Sequence, residues 1–249
     1  MSTHAQHVLA PMVRKLQLWK QLNDAEQEAV LSLPHEVQDL VAGKYIVREG
    51  DEVASSCLLL SGFAYRQKVT KEGERSISAV HMRGDIVDLQ NSLLGRADHS
   101  VQALTQAEVA FIPRTAITDI AFRFPTVGMA MWYDTLVDGS IFREWILNIA
   151  RRDSQTRIAH LLCEFGMRLE AIGLGERRSF QLPMTQEQIA DATGLTSVHV
   201  NRSLQGLEAR GLITRTARFV AVGEWANLQQ AGDFNDGYLH LPAKEPALA

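Results

Sequence analysis

A group of hydrogen-bonding side chains lies within the stretch 185–211 and could recognise the edges of nucleic-acid bases. The group consists of Ser197, His199, Asn201 and Arg202. An arginine can donate two hydrogen bonds to one guanine, and an asparagine can pair with one adenine in the same bidentate manner. The apolar residues Val200, Leu204 and Leu207 are spaced four and three apart, as on the buried face of a helix. We therefore predict a helix that buries its apolar face and exposes the polar residues.

A second, shorter helix is predicted immediately before this one. Thr185 and Gln188 fit a capping box, in which each side chain bonds to the backbone of the other residue at a helix start. Gly194 follows where a left-handed backbone would end that helix, and Thr196 would cap the next one. Two short helices joined by a glycine-containing turn form a helix-turn-helix, here over residues 185–210. An ordinary pair of packed helices with a solvated face is the alternative.

Two short β-prone runs, 212–214 and 219–222, follow the helix pair. They predict a small hairpin with Arg215 and Arg218 near its tip, as in a winged helix. Arginines at such a tip are well placed for DNA phosphates, which position a protein on the duplex without specifying its sequence.

The charge of the 249-residue chain is unevenly distributed, although its formal net charge is only −4. Residues 1–150 hold 14 Lys and Arg against 18 Asp and Glu (−4), residues 151–223 hold 10 against 7 (+3), and residues 224–249 hold 1 against 4 (−3). The positive segment is the one that contains the predicted helix-turn-helix, in agreement with double-stranded DNA as a partner.

Targeting and cysteine patterns indicate a cytoplasmic protein without a membrane span. No apolar run approaches the roughly 18 residues that a spanning helix needs, and no apolar segment follows a basic cluster at the N-terminus. Cys57 and Cys163 are the only cysteines and lie in no metal-ligand spacing. We expect a reducing compartment, no disulfide framework and no metal site.

Short β-rich runs separated by turn residues occupy the middle of the N-terminal half. The runs are 44–48, 56–61, 64–70, 76–81, 86–88, 100–103 and 108–112. Many short strands at regular spacing predict a sandwich or barrel, here a small β jelly roll over residues 25–124. Residues 1–24 are predicted to form an N-terminal arm with a short helix.

A long helix is predicted over residues 125–150, because a broad apolar stripe runs through it without an interrupting proline. The stripe could pack only against the jelly roll, or it could also pair with the same helix of a second chain as in a coiled coil. We favour pairing and expect the dimer contacts from one set of residues: Met131, Val137, Ile141 and Trp145. A polar interruption near residues 151–154 predicts a hinge, and the segment 224–249 is expected to be a partly ordered tail.

The order of these elements resembles the Crp/Fnr superfamily of bacterial transcription regulators. The most specific motif is TQEQIADATGLTSVHVNRSLQGLEARGLI, and GKYIVREGD at 43–51 and RGDIVD at 83–88 add to it. The resemblance implies an α+β protein with a cyclic-nucleotide-binding-like β jelly roll, a dimerisation helix and a Crp-type winged helix-turn-helix at 151–223. It also implies a homodimer on an inverted repeat, with recognition helices about 34–36 Å apart.

The resemblance assigns DNA-contacting roles only in part. Ser197 and Val198 stand where the cyclic-AMP receptor protein has an Arg-Glu pair, whereas Arg202 matches its last base-reading arginine. Arg202 is therefore expected to contact a guanine, and Ser197, His199 and Asn201 to read neighbouring positions. The residues expected to hold phosphates are Thr185, Thr196 and Arg218.

The resemblance also directs attention to an effector pocket. Family members that bind cyclic nucleotides use a GEL-type turn followed by an Arg-Ser pair, where this chain has Asp88-Leu89-Gln90 and His99-Ser100. The phosphate-binding arginine is thus missing, and Arg96 could replace it only if the loop were rearranged, so we expect no cyclic nucleotide. Residues 1–56 contain no cysteine, which excludes the iron–sulfur sensor of the oxygen-sensing branch. Haem binding has no support in the sequence.

These observations favour a DNA-binding transcription factor that is regulated allosterically through the jelly roll and contacts RNA polymerase if it is an activator. One alternative is a sensor module for a cyclic nucleotide or another small molecule. The other is a cupin-like metal-dependent enzyme, but no HxH pair occurs, and His81 and His99 are isolated. We therefore predict that the protein is not an enzyme.

Overall fold

The computed structural model describes residues 7–242. Two helices come first, α1 (Ala10–Gln17) and α2 (Asp24–Leu31). The jelly roll that follows has two sheets, with strand orders β1-β7-β3 and β2-β6-β4-β5. The strands are β1 (Glu36–Leu40), β2 (Tyr45–Val47), β3 (Ser55–Ser61), β4 (Ala64–Val69), β5 (Arg75–His81), β6 (Ser100–Ala103) and β7 (Ala107–Pro113). A short helix, α3 (Asn91–Leu94), precedes β6, and α4 (Arg114–Arg123) follows β7.

Two elements of the jelly roll differ from the sequence prediction. Strand β1 was not predicted, because four of its five residues are exposed and it therefore lacks an alternating apolar pattern. The run 86–88 is not a strand and makes only one isolated bridge, between Ile86 and Leu58. The chain turns there into α3, which ends at Gly95 in a left-handed conformation.

Helix α5 (Pro125–Arg151) is the predicted long helix, but it exposes different residues. The exposure expected of Met131, Val137, Ile141 and Trp145 is wrong: all four are at most 9% exposed within one protomer. Met131 packs with α1 and the jelly roll, and the other three pack with β4, β5 and the next helix. The apolar stripe of α5 is broad. Residues at its centre pack against other parts of the same chain, whereas residues at its edge remain exposed to solvent.

Two residues separate α5 from the first helix of the helix-turn-helix domain. The Asp153 side chain accepts hydrogen bonds from the backbone N–H groups of Gln155 and Thr156 and so caps α6 (Ser154–Ala171), which agrees with the predicted polar break. The following elements are β8 (Ser179–Gln181), α7 (Gln186–Thr193), α8 (Ser197–Ala209), β9 (Ile213–Thr216) and β10 (Phe219–Val222). Strand β8, which was not predicted, pairs with β10 and makes a three-stranded wing sheet.

The segment after residue 223 has more structure than predicted. It forms α9 (Trp225–Ala231) and a 3₁₀ turn (Asp236–Leu239). The Tyr238 hydroxyl donates to Glu164 at 2.8 Å and lies 3.1 Å from Nε2 of His160, which is itself buried. The sequence did not predict this packing, because the buried Leu228 and Leu239 are widely spaced and polar and glycine residues lie between them. The end of the predicted tail, 243–249, lies outside the described residues.

Candidate functional site

The turn between α7 and α8 has the geometry of a helix-turn-helix. Thr185 Oγ1 accepts a hydrogen bond from the N–H of Gln188 at 3.2 Å, and Gln188 Oε1 accepts from the N–H of Thr185 at 2.8 Å, so the capping box is present. Gly194 ends α7 with φ +63°, and Thr196 Oγ1 accepts from the N–H of His199 at 3.3 Å to start α8. The sequence prediction of this unit is confirmed.

Helix α8 buries one face and exposes the other, as predicted. Val200, Leu204 and Leu207 pack into the core of the C-terminal domain. The opposite face of α8, together with Gln186 of α7, lines a shallow, open groove. The residues that line this groove are Gln186, Ser197, Val198, Asn201, Arg202 and Gln205. A helix with this exposed polar face is able to enter the DNA major groove.

The predicted base-reading residues differ in their exposure and in the intramolecular contacts that their side chains make. Arg202 is exposed, and among residues 7–242 no side chain or carbonyl pairs with its guanidinium. Asn201 is half-buried, and its Nδ2 lies 3.5 Å from Gln186 Oε1. His199 is exposed, and its Nδ1 lies 2.9 Å from Thr196 Oγ1. Ser197, at the first position of α8, is exposed. Arg202 is therefore the group most available for bidentate bonding.

Two of the three predicted phosphate contacts also have structural roles. The hydroxyls of Thr185 and Thr196 already serve as helix caps, and each keeps its exposed position beside a helix N-terminus. Arg218 is exposed beside the tight wing turn, where Ala217 has φ +54°, and its Nη1 donates a long hydrogen bond of 3.4 Å to the carbonyl of Pro183. The other wing arginine, Arg215, is bound to Glu208 through two hydrogen bonds of 2.9 and 3.1 Å. The wing thus presents Arg218 and not Arg215.

The predicted effector residues are engaged in contacts within the chain. Arg96 is exposed, and its Nε donates to the carbonyl of Gly50 at 3.0 Å. His99 is buried, which lowers the pKa of its imidazole, and it lies 2.6 Å from Asp98 Oδ1 and 3.3 Å from Gln90 Nε2. Ser100 is half-buried, and its Oγ accepts from the N–H of Glu49 at 2.9 Å. A neutral imidazole gives little attraction to a phosphate.

The remaining two predicted pocket residues, Asp88 and Leu89, are buried. Asp88 Oδ1 accepts from the N–H of Cys57 at 2.9 Å, and burial raises the pKa of this carboxyl to about 6. Both residues precede α3, and their carbonyls accept hydrogen bonds from the N–H groups of Asn91 and Ser92 in its first turn. They hold the loop in place and expose little surface to a ligand.

A cation beside Asp88 and Leu89 was missed by the sequence reasoning. Arg66 of β4 donates from Nη1 to Asp138 of α5 at 2.7 Å, and its Nη2 lies 3.5 Å from the carbonyl of Val87. A register shift between Arg66 and Gln67 interrupts the strand alternation at this point, and no sequence signal marks such a bulge. The sheet is thus joined to the long helix by an ion pair.

A second buried charge group connects α1, the jelly roll, α5 and α6 around a cavity between them. Lys15 Nζ lies 2.7 Å from Asp85 and 3.5 Å from Asp134, and Arg168 of α6 donates to the carbonyl of Val80 at 2.8 Å. Burial opposes the charge of Lys15, but the carboxylates of Asp134 and Asp85 outweigh it and raise the pKa of the ammonium group. These contacts couple the two domains to the long helix.

Comparison with known proteins agrees with this architecture. The profile of the cyclic nucleotide-binding domain matches residues 37–124, and the profile of the Crp-like helix-turn-helix domain matches residues 156–231. The transcriptional activator protein FnrL of Cereibacter sphaeroides is 28% identical over 221 residues, 87% of this chain and 88% of that protein. The fumarate and nitrate reduction regulatory protein of Escherichia coli K12 is 24% identical over 203 residues, 81% of this chain and 80% of that protein.

Solved structures show the same fold. FixK2 from Bradyrhizobium japonicum superposes with a TM-score of 0.74 at 22% identity, covering 80% of this chain and 98% of that one. A CooA mutant from Carboxydothermus hydrogenoformans gives a TM-score of 0.67 at 17% identity, covering 89% and 95%.

The fold and the exposed recognition helix, together with these relatives, define a DNA-binding transcription regulator and not an enzyme. The chain belongs to the Crp/Fnr family. Residues 7–242 hold no cluster of three His, Cys, Asp or Glu side chains that could bind a metal ion. No helix among these residues is long and apolar enough to cross a membrane.

Proposed function

We propose that a homodimer of this chain binds an inverted-repeat DNA site in the cytoplasm and regulates transcription, with one α8 in each of two successive major grooves. The observation that carries this proposal is the exposed face of α8, where the guanidinium of Arg202 has no intramolecular partner in the described chain. Arg202 reads a guanine, Ser197, His199 and Asn201 read neighbouring bases, and Arg218 binds a phosphate. An activating role would add a contact with RNA polymerase.

The surface of α5 supports the dimer. Residues three and four apart in alternation are exposed or half-buried along its whole length: Met129, Trp132, Leu136, Gly139, Arg143, Ile146 and Ala150. This is the spacing of a coiled-coil seam. We define these seven residues as the α5 seam. The α5 seam is the proposed dimer contact, in place of the four residues that the sequence predicted and that are buried within the protomer.

Arginine 202 is tested by substitution in the full chain. The wild-type protein selects its operator from a random duplex library, and fluorescence anisotropy then measures Kd for matched and mismatched sites. Arg202→Ala is expected to lose about 1–3 kcal/mol of discrimination at one base pair of each half-site, because the bidentate bond to guanine is lost.

The matched control is Arg210→Ala, at the far end of the same helix, where Arg210 Nη1 donates to Gln155 at 3.2 Å. This variant is expected to keep the wild-type sequence preference. If Arg202→Ala keeps full preference as well, α8 does not read DNA in the proposed manner.

We further propose that the regulatory signal in the jelly roll is not a cyclic nucleotide. This is supported by two candidate cations: Arg96 is exposed and donates to the carbonyl of Gly50, and Arg66 is already paired with Asp138. Calorimetric titration with cyclic AMP and cyclic GMP is expected to show no binding heat at micromolar protein. Saturable binding of either nucleotide, lost on Arg66→Met substitution, would contradict the proposal.

A further inference from the structure

The recognition face of α8 contains one apolar side chain among its polar ones. Val198 is 67% exposed and lines the same groove as Ser197, Asn201 and Arg202. The contacts that hold α8 against its domain come from the opposite face, through Val200, Leu204 and Leu207. Val198 therefore contributes little to packing. It lies in the N-terminal turn of α8, which is the part of a recognition helix that contacts base edges in the DNA major groove.

We propose that Val198 determines sequence specificity by contacting the C5-methyl group of a thymine. Thymine presents the one methyl group among the four bases in the major groove, and an apolar side chain can offer a base edge nothing but apolar contact. This inference rests on the proposed function, because it requires α8 to lie in the major groove.

The position of the thymine follows from the helix geometry. Val198 precedes Arg202 by four residues, so the two side chains share one face and are separated by about 6 Å along the helix axis. Base pairs are stacked about 3.4 Å apart along each strand, so the thymine lies within about two base pairs of the guanine read by Arg202.

The side chain itself suits this role. Valine in a helix adopts essentially one χ1 rotamer, so its methyl groups are held in position before DNA binds. The neighbouring polar groups do not cover it, since Asn201 is directed to Gln186 at 3.5 Å. An apolar contact formed on binding gains the free energy of the surface removed from water.

The test removes the methyl group from the DNA and the valine methyl groups from the protein independently. In the operator selected by the full-length wild-type chain, each thymine of one half-site is replaced singly by deoxyuridine, which lacks only the C5-methyl. Anisotropy measures Kd for the wild type and for Val198→Ala. At one position deoxyuridine is expected to weaken wild-type binding about fourfold, the effect of one buried methylene-sized group, and to leave Val198→Ala binding unchanged.

Arg210→Ala is the matched control, because it alters an exposed residue at the other end of α8, outside the groove, and should retain the fourfold deoxyuridine effect. The inference is overturned if Val198→Ala responds to deoxyuridine as the wild type does at every position. It is equally overturned if no single replacement affects the wild type. A wild-type chain that selects no operator at all would instead contradict the proposed function on which the inference rests.

Discussion

Asp88 is a carboxyl group that titrates differently in the folded and unfolded chain. It is 1% exposed, and burial raises its pKa from 3.8 to about 6, despite the hydrogen bond from the N–H of Cys57. As the pH rises from 4 to 6, the unfolded chain releases this proton while the folded chain keeps it. The unfolded state is thereby favoured, so the contribution of Asp88 to stability is fully present below pH 4 and is lost as the pH passes 6.

Asp88→Asn should remove this dependence, because the amide Oδ1 can still accept from Cys57 but does not titrate. Relative to the variant, the wild type is expected to lose about 2 kcal/mol of unfolding free energy between pH 4 and pH 7, at about 1.36 kcal/mol per pKa unit, since the unfolded carboxyl is already partly ionised at pH 4. Urea denaturation across that range measures the difference. Asp39→Asn, on the exposed face of β1, should follow the wild type, whereas parallel curves for Asp88→Asn and the wild type would refute the raised pKa.

At the level of elements, the helix-turn-helix depends on the left-handed backbone conformation of Gly194 and on the side chains packed beside it. Gly194 has φ +63°, and a Cβ there would lie 3.0 Å from Cγ2 of Ile149 in α5. The turn therefore contacts α5 directly, and a side chain at this position meets both backbone strain and crowding.

Gly194→Ala is expected to lower the unfolding free energy by about 2–3 kcal/mol, of which about 1–2 kcal/mol is the left-handed conformation alone. Gly43→Ala is the matched control, since Gly43 has φ +80° but no atom lies within 4 Å of its added Cβ. Urea denaturation of both variants separates strain from crowding. Equal losses would show that Ile149 yields without cost and that the turn is not packed tightly on α5.

At the scale of the whole molecule, α5 packs against both domains and also presents a surface that neither domain covers. Arg75 of β5 binds Asp191 of α7 at 2.6 Å, and the ring of Phe63 lies 5.7 Å from that of Phe165 in α6, so sensor and DNA-binding domains contact each other. The α5 seam is left uncovered by either domain, and Trp132 in it is 60% exposed. A large exposed aromatic side chain within an apolar stripe is typical of an interface.

Trp132→Asp should convert the dimer into a monomer, because a carboxylate in a closed seam would be buried without a partner. Size-exclusion chromatography with light scattering measures the mass, and operator affinity is expected to fall with it. Val41→Asp places the same charge on an equally exposed apolar residue outside α5 and should remain dimeric. A monomeric wild type, or a dimeric Trp132→Asp variant, would contradict the role of the α5 seam.

The helix-turn-helix was predictable because its signals are local. The capping pair of Thr185 and Gln188, the left-handed Gly194 and the cap at Thr196 each act over four residues or fewer, so the residue types specify the backbone directly. The same holds for the long helix and most strands. By contrast, β1 and β8 owe their conformation to pairing with β7 and β10, which are distant in sequence.

The sequence by itself thus determined the order of the domains, the helix-turn-helix and the apolar character of α5. Only the tertiary structure decided which α5 residues are free: Met131 and Val137 are covered by the chain's own sheets and helices, whereas Trp132 and Leu136 are not. It also decided that Arg66, and not Arg96, approaches the pocket. Periodicity defines a face of a helix or strand, but which neighbour covers that face depends on packing between segments far apart in the chain.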